Sequence, residues 1–379
     1  MINASTATPL PGGRTQQRRM VFIDVARSAA ILAALAAHAV AVFAVWPAVP
    51  PGLFKAAGNA IFFTATPTFF LLFGVMLELV YVRRRERDGA LPVASRLAVR
   101  AWQCWLGLVL GMVCAWWSGR LTGAQLPDAL LNLIDTPNSG ILRFYTAALL
   151  LCIPVVLLRP RLGPALPLVL VGVIWIGAAL LPLLPWPVAG SRWGFLCGFL
   201  VAHPPTWSGG SLWHNLSVVF LGMALGHHMR TRQVQGLVPF GGRPVLLLVA
   251  VCLAGIAVCA IILGPYALAQ GYLGTGRTLR SVCHPAYFLI STLCALALIA
   301  LAQRCYPVST EPALVRLPIL ALGRNSLLAF AVGSASLNLI PPDRAPPLWL
   351  GISFTLLYLV GVILVARLAD AWSARRSAP

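Results

Sequence analysis

Charged side chains are scarce in this sequence, 10% of residues where a soluble domain carries about 25%. Acidic ones are scarcer still, 9 Asp and Glu against 28 Lys and Arg, and Lys55 is the sole lysine. Together with 59% hydrophobic residues and a mean hydropathy of +0.85, these shortages exclude an ordinary water-soluble domain. A pI near 10.9 would fit a polyanion binder, but the arginines flank apolar runs instead of forming a basic face, which argues against nucleic acid. Cysteines at metal-ligand spacing are also missing. Cys104, Cys114, Cys152, Cys252, Cys259 and Cys294 lie inside apolar runs and read as packing residues, while Cys197 and Cys283 leave a disulfide open. No metal is expected: His203, His214 and the pair His227-His228 have no evident acidic or cysteine partner in the sequence.

What is abundant is apolar length. Runs suited to a bilayer, roughly 20 residues each, occur at 22–45, 58–82, 97–117, 141–158, 162–184, 212–229, 244–264, 286–302, 317–340 and 348–367. The sequence therefore predicts an all-α, polytopic membrane bundle of about ten helices, with 193–202 too short to cross and read as re-entrant or interfacial. Alternate loops divide the basic residues unequally. One side holds 19, including Arg14, Arg18, Arg19, the cluster Arg83-Arg84-Arg85, Arg159, Arg161, Arg230, Arg316 and the Arg375-Arg376 tail. The other holds Lys55, Arg120, Arg143, Arg192, Arg277, Arg280 and Arg344; Arg27 and Arg324 fall within helix ends. Because cytoplasmic loops retain positive charge, both termini are expected in the cytoplasm and the protein in the cell inner membrane. The expected division is a cytoplasmic tail at 1–20, a transmembrane domain at 21–368 and a second tail at 369–379. A cleaved leader is disfavoured, because Asp24 and Arg27 interrupt the start of the first apolar stretch. The outer segments 118–140, 185–211 and 265–285 carry Asn138, His203, Trp207, Tyr266 and Tyr272, with Trp213 just inside the next apolar run, which suits either a carbohydrate ligand or an aromatic belt.

Ionisable residues in a membrane helix are costly, roughly 2.5 to 3.5 kcal/mol each near its centre, so Asp24, Arg27 and His38 in the first helix call for a function. Eleven residues separate Arg27 from His38. At about 100° and 1.5 Å per residue they share one face, roughly 16 Å apart along the axis. Such a helix offers a cation near one membrane surface and a titratable imidazole deeper in the bilayer. Asp24 is close enough to orient Arg27, and Glu78, at the inner end of the second helix, is another expected partner for it.

Asp24-x-x-Arg27 followed by ten residues and His38 resembles the opening helix of the membrane acyltransferase-3 superfamily. Further similarities follow in order. Thr68-Phe69-Phe70-Leu71-Leu72-Phe73-Gly74 is similar to the family's aromatic-Leu-Ser-Gly stretch. Ile141-Leu142-Arg143-Phe144-Tyr145 is similar to the Ile-Leu-Pro-x-Tyr opening of a middle helix in the OpgC branch, and Leu322-Gly323-Arg324-Asn325-Ser326-Leu327 looks like that branch's Leu-Gly-Arg-x-Ser-Leu motif. The resemblance implies a membrane O-acyltransferase that moves an acetyl or succinyl group from cytoplasmic acyl-CoA to a hydroxyl of a periplasmic or cell-surface glycan or glycolipid; the OpgC branch succinylates periplasmic glucans. On that reaction His38 is read as general base, with a covalent acyl-histidine step as the less favoured variant, Arg27 and Arg324 as anchors for the anionic donor, and Asp24, Glu78, Asn325 and Ser326 as organisers of the site. Two positions depart from the pattern: Phe73 stands where the family usually has Ser, and Ser28 where Gly usually follows the arginine. A transporter or flippase for an anionic or lipid-linked substrate is the alternative from another class, and a scaffold for other envelope enzymes a third.

Overall fold

With no water in the hydrocarbon core, a chain this apolar must satisfy its backbone hydrogen bonds within each segment, which a helix does. The computed structural model describes residues 20–185, 187, 191–202, 210–274, 278–306, 318–342 and 346–376, and among them there is no strand. Arg14, Arg18 and Arg19 of the N-terminal tail, His203, Trp207, Arg277, Arg316 and Arg344 lie outside the described residues.

Each predicted run has a helical counterpart: α1 Val21–Val42, α2 Leu53–Met76, α3 Ala90–Trp117, α4 Gly140–Leu162, α5 Leu166–Leu180, α6 Leu212–Val234, α7 Arg243–Leu263, α8 Pro285–Cys305, α9 Ser326–Asn338 and α10 Leu348–Arg376. Among the described residues seven of these are long and apolar enough to cross a membrane: α1, α2 with its extension, α3, α4, α7, α8 and α10. The other three differ from the sequence expectation for separate reasons. The α5 helix has 15 residues, about 22 Å of rise against a hydrocarbon core of roughly 30 Å. The α6 helix has 23 residues but carries His214, Asn215, His227, His228, Arg230 and Arg232. The run at 317–340 is broken at Asn325, which separates a short turn Leu320–Arg324 from α9. The expected interfacial stretch is a helix of 10 residues, Arg192–Val201. The α10 helix runs unbroken through 369–376, which the sequence assigned to a tail.

The α2 helix is central, with 67% of its apolar window buried, while α7, at 11%, lies on the rim. Around α2 pack α1, α6 and α8; α3 packs on α4 and α9, and α10 covers α1 and α9. The tightest approach is between α2 and α6. A Cβ at Gly74 would collide with the Val219 carbonyl, and one at Gly222 with the Leu71 carbonyl; Gly226, one turn further along α6, faces Val75 and Glu78. Lipid tails are as apolar as leucine, so helices in a bilayer associate through close backbone packing at small residues such as these. Past Met76, α2 continues as a π-helical segment, Leu77–Val82, and then Arg83–Asp88, which Gly89 ends at φ 93°. Such π segments are often found at functional sites.

Candidate active site

The expected site residues fall into three groups. The first lies where the inward-assigned end of α1 meets the break before α9. Arg27 Nη2 donates to Ser326 Oγ at 2.6 Å. One residue on, buried Ser28 accepts the Gly323 N–H at 2.9 Å, so the residue that departs from the family pattern satisfies a backbone donor at the break. Gly323 has no Cβ to collide with the Asp24 carbonyl, and α1 therefore lies directly on the turn. Arg324 is ion-paired with Asp370 of α10, and Asn325 Nδ2 donates to Asp370 Oδ1 at 3.0 Å and to the Ala366 carbonyl at 3.2 Å. Asp24, Arg27, Arg324, Asn325 and Ser326 thus come together. Asp370 was missed from the sequence; the signal was an acid, rare in this chain, next to a long apolar run.

Glu78 is not in that group. It sits buried in the π segment, with Oε1 at 3.0 Å from Arg159 Nη2 and 3.4 Å from His227 Nδ1. This corrects the expectation that Glu78 partners Arg27, and it gives His227 an acidic neighbour that the sequence did not reveal. The glycines of α2 and α6 explain both, because their close approach sets the π segment against α6. Phe73 packs its ring at 4.9 Å from Tyr145, whose hydroxyl donates to the Phe69 carbonyl at 3.4 Å. Aromatic packing thus occupies the position where the family usually has serine.

The third group surrounds His38 in a cavity of about 150 Å³ toward the end of the bundle that the charge split assigns to the outside. Thr66, Asp135, Thr136, Asn138, Asn215 and Arg280 supply its polar wall, and Phe70, Phe144 and Phe199 its apolar wall. Two side chains shape the loop on one side. Fully buried Asn338 donates to the Gly111 and Pro137 carbonyls at 3.0 and 3.1 Å and accepts from Asn138 Nδ2 at 2.9 Å. Asn138 has a φ of 54°, a left-handed conformation that asparagine tolerates. Arg143, counted from the sequence among the outer-loop charges, is instead buried in the first turn of α4. It donates to the Ile134 carbonyl at 3.0 Å and Thr136 Oγ1 at 2.7 Å, with the rings of Phe195 and Phe199 beneath it at 5.5 and 5.8 Å. Asp135 keeps 55% of its side-chain surface exposed, yet partial desolvation raises its carboxyl above the usual range; Arg143 and the Thr136 N–H oppose that shift. Sequence reasoning noticed Asn138 as a polar outer residue and counted Arg280 among the outer charges, but missed Thr66, Asp135, Thr136 and Asn215, which come from three separate segments.

A second, smaller cavity of about 50 Å³ lies deeper, lined by Phe69, Cys104, Ile141, Leu142, Tyr145, Leu327 and Phe330, with Ser326 at its polar edge. Ser326 is the residue that receives the Arg27 hydrogen bond, so this cavity touches the first group. Among the described residues no three His, Cys, Asp or Glu side chains gather to hold a metal ion, and all nine cysteines are free thiols, Cys197 and Cys283 included.

Residues 18–135 match the family model OpgC_C, described as OpgC protein. That stretch carries Asp24, Arg27, Ser28, His38, Phe73, Glu78 and Asp135. No curated protein matches the chain, and no solved structure does.

Proposed function

We propose that this membrane protein, whose residues 18–135 match the OpgC model, is an O-acyltransferase carrying an acyl group from cytoplasmic acyl-CoA to a hydroxyl of a glycan or glycolipid at the outer face. The observation that supports this reading most directly is that one helix, α1, serves two sites: Arg27 meets Ser326 beside the inner cavity, and His38 lines the outer one. Arg27 would hold an anionic group of the donor, a CoA phosphate or an acyl carboxylate, because a guanidinium forms paired hydrogen bonds with such oxygens. Arg324 would add a second anchor by exchanging Asp370 for the donor. Asp24, Asn325 and Ser326 would hold these cations in place, and Glu78 would organise the neighbouring π segment through Arg159.

In the outer cavity the hydroxyl, amide and carboxyl groups of Thr66, Asp135, Asn138 and Asn215 suit a hydroxyl-rich acceptor, which needs many hydrogen bonds and no large charge. A neutral His38 imidazole would take the proton of the acceptor hydroxyl as its oxygen attacks the thioester carbonyl. Collapse of the tetrahedral intermediate breaks the C–S bond. The departing CoA sulfur then takes the proton back from the imidazolium, leaving an ester, free CoA and neutral His38. Succinyl transfer to a glucan is what the OpgC resemblance implies for the group and acceptor.

The broken helix at Asn325 keeps a second reading in view, since transporters often bind substrate at such breaks. A single assay separates them. Inverted membrane vesicles are given radiolabelled acyl-CoA, and the glycan and the vesicle lumen are analysed. Label covalently in the glycan supports the transferase, passage of unmodified substrate supports a carrier, and neither outcome leaves a scaffold.

A further inference from the structure

The two cavities meet at one residue. Ile141, in the first turn of α4, lines both. On each flanking helix, successive residues diverge across this boundary: Phe69 faces the inner cavity and Phe70 the outer, while Leu142 and Tyr145 line the inner and Phe144 the outer. The aromatic rings are held in place, Phe69 against Phe330 at 4.9 Å and Phe70 against Phe144 at 4.0 Å between centroids. Ile141 is the one residue that borders both cavities among the described residues. As a β-branched residue it has a stiff χ1 and cannot swing aside as a leucine or methionine does.

We propose that Ile141 is the wall between a donor compartment and an acceptor compartment, and that its side chain selects the transferred acyl group by size. The proposal rests on the acyltransferase reading above. A thioester arriving from the Arg27 side must present its carbonyl to His38 at this junction, and the acyl carbons must then fit beside Ile141. The inner cavity, about 50 Å³, has a third of the volume of the outer one at about 150 Å³, so the room available to the acyl group is limited on the donor side. One methylene more or less in such an apolar site changes selectivity about tenfold or more.

The test compares wild type with Ile141→Val, Ile141→Ala and Ile141→Phe in reconstituted vesicles, using acetyl-, butyryl- and succinyl-CoA as separate labelled donors. The readout is the ratio of four-carbon to two-carbon transfer, which is internal to each variant and independent of how much protein inserts. The ratio is expected to rise about tenfold or more in Ile141→Ala, to rise less in Ile141→Val and to fall in Ile141→Phe. The conservative valine variant keeps the comparison available where the phenylalanine variant fails to insert. An unchanged ratio, or the reverse order, overturns the sorting role while leaving acyl transfer standing. Absence of transfer by wild type from every donor overturns the acyltransferase reading and the role of Ile141 with it.

Discussion

His38 and Arg27 share one face of α1 but sit in different surroundings, one in a polar cavity and the other against Ser326. Their replacements are therefore expected to fail differently. His38→Ala should insert normally and lose transfer by at least about a hundredfold in kcat, the scale of general-base catalysis; wild-type turnover in that variant would remove His38 from the mechanism. Arg27→Ala should chiefly raise the apparent KM for acyl-CoA, and an unchanged KM would count against its role as anchor. The Glu78–Arg159 pair makes a different prediction, because both groups are almost wholly buried. Removing one partner strands the other charge, at a cost of about 3–5 kcal/mol, whereas replacing both by apolar residues costs far less. Thermal unfolding in detergent should show Glu78→Leu well below wild type and the Glu78→Leu, Arg159→Leu double variant close to it. Equal losses in single and double variants would mean that the pair has no such coupling.

Among elements, the contact between α2 and α6 decides the most. Gly74 and Gly222 bring two backbones together, and that approach sets the Glu78 segment against His227. A leucine at 222 has to push the helices apart, so Gly222→Leu is expected to destabilise the bundle by about 1–3 kcal/mol or more, read as a lower unfolding temperature. Leucine at Gly172 of α5, where a Cβ meets open space, is the matched control and should be nearly neutral. The broken element before α9 was partly legible in advance, since its Leu-Gly-Arg-Asn-Ser-Leu stretch stands out from the apolar sequence around it. That it folds as a turn capped by Ser28 and pinned by Asp370 was not, because both partners lie far away along the chain.

For the whole molecule, the unequal division of arginines makes a prediction that the sole lysine can test. Lys55, half-buried at the start of α2 with Nζ on the Val49 carbonyl at 2.8 Å, belongs to the side with fewer basic residues. A membrane-impermeant amine reagent should label it in right-side-out vesicles and spare it in inverted ones, as read by peptide mapping; the opposite pattern would reverse the proposed orientation. Composition and apolar run length determined that the chain is a helical membrane bundle, because a bilayer admits few other solutions for an uninterrupted apolar backbone. Helical periodicity likewise determined that Arg27 and His38 share a face, since that follows from local geometry alone. Which arginine meets which acid was decided only by the tertiary structure. So were the polar wall around His38, gathered from separate segments, and the position of Ile141 between two cavities. Those outcomes depend on how closely helices distant in sequence approach, and that distance is set by small residues on both faces at once.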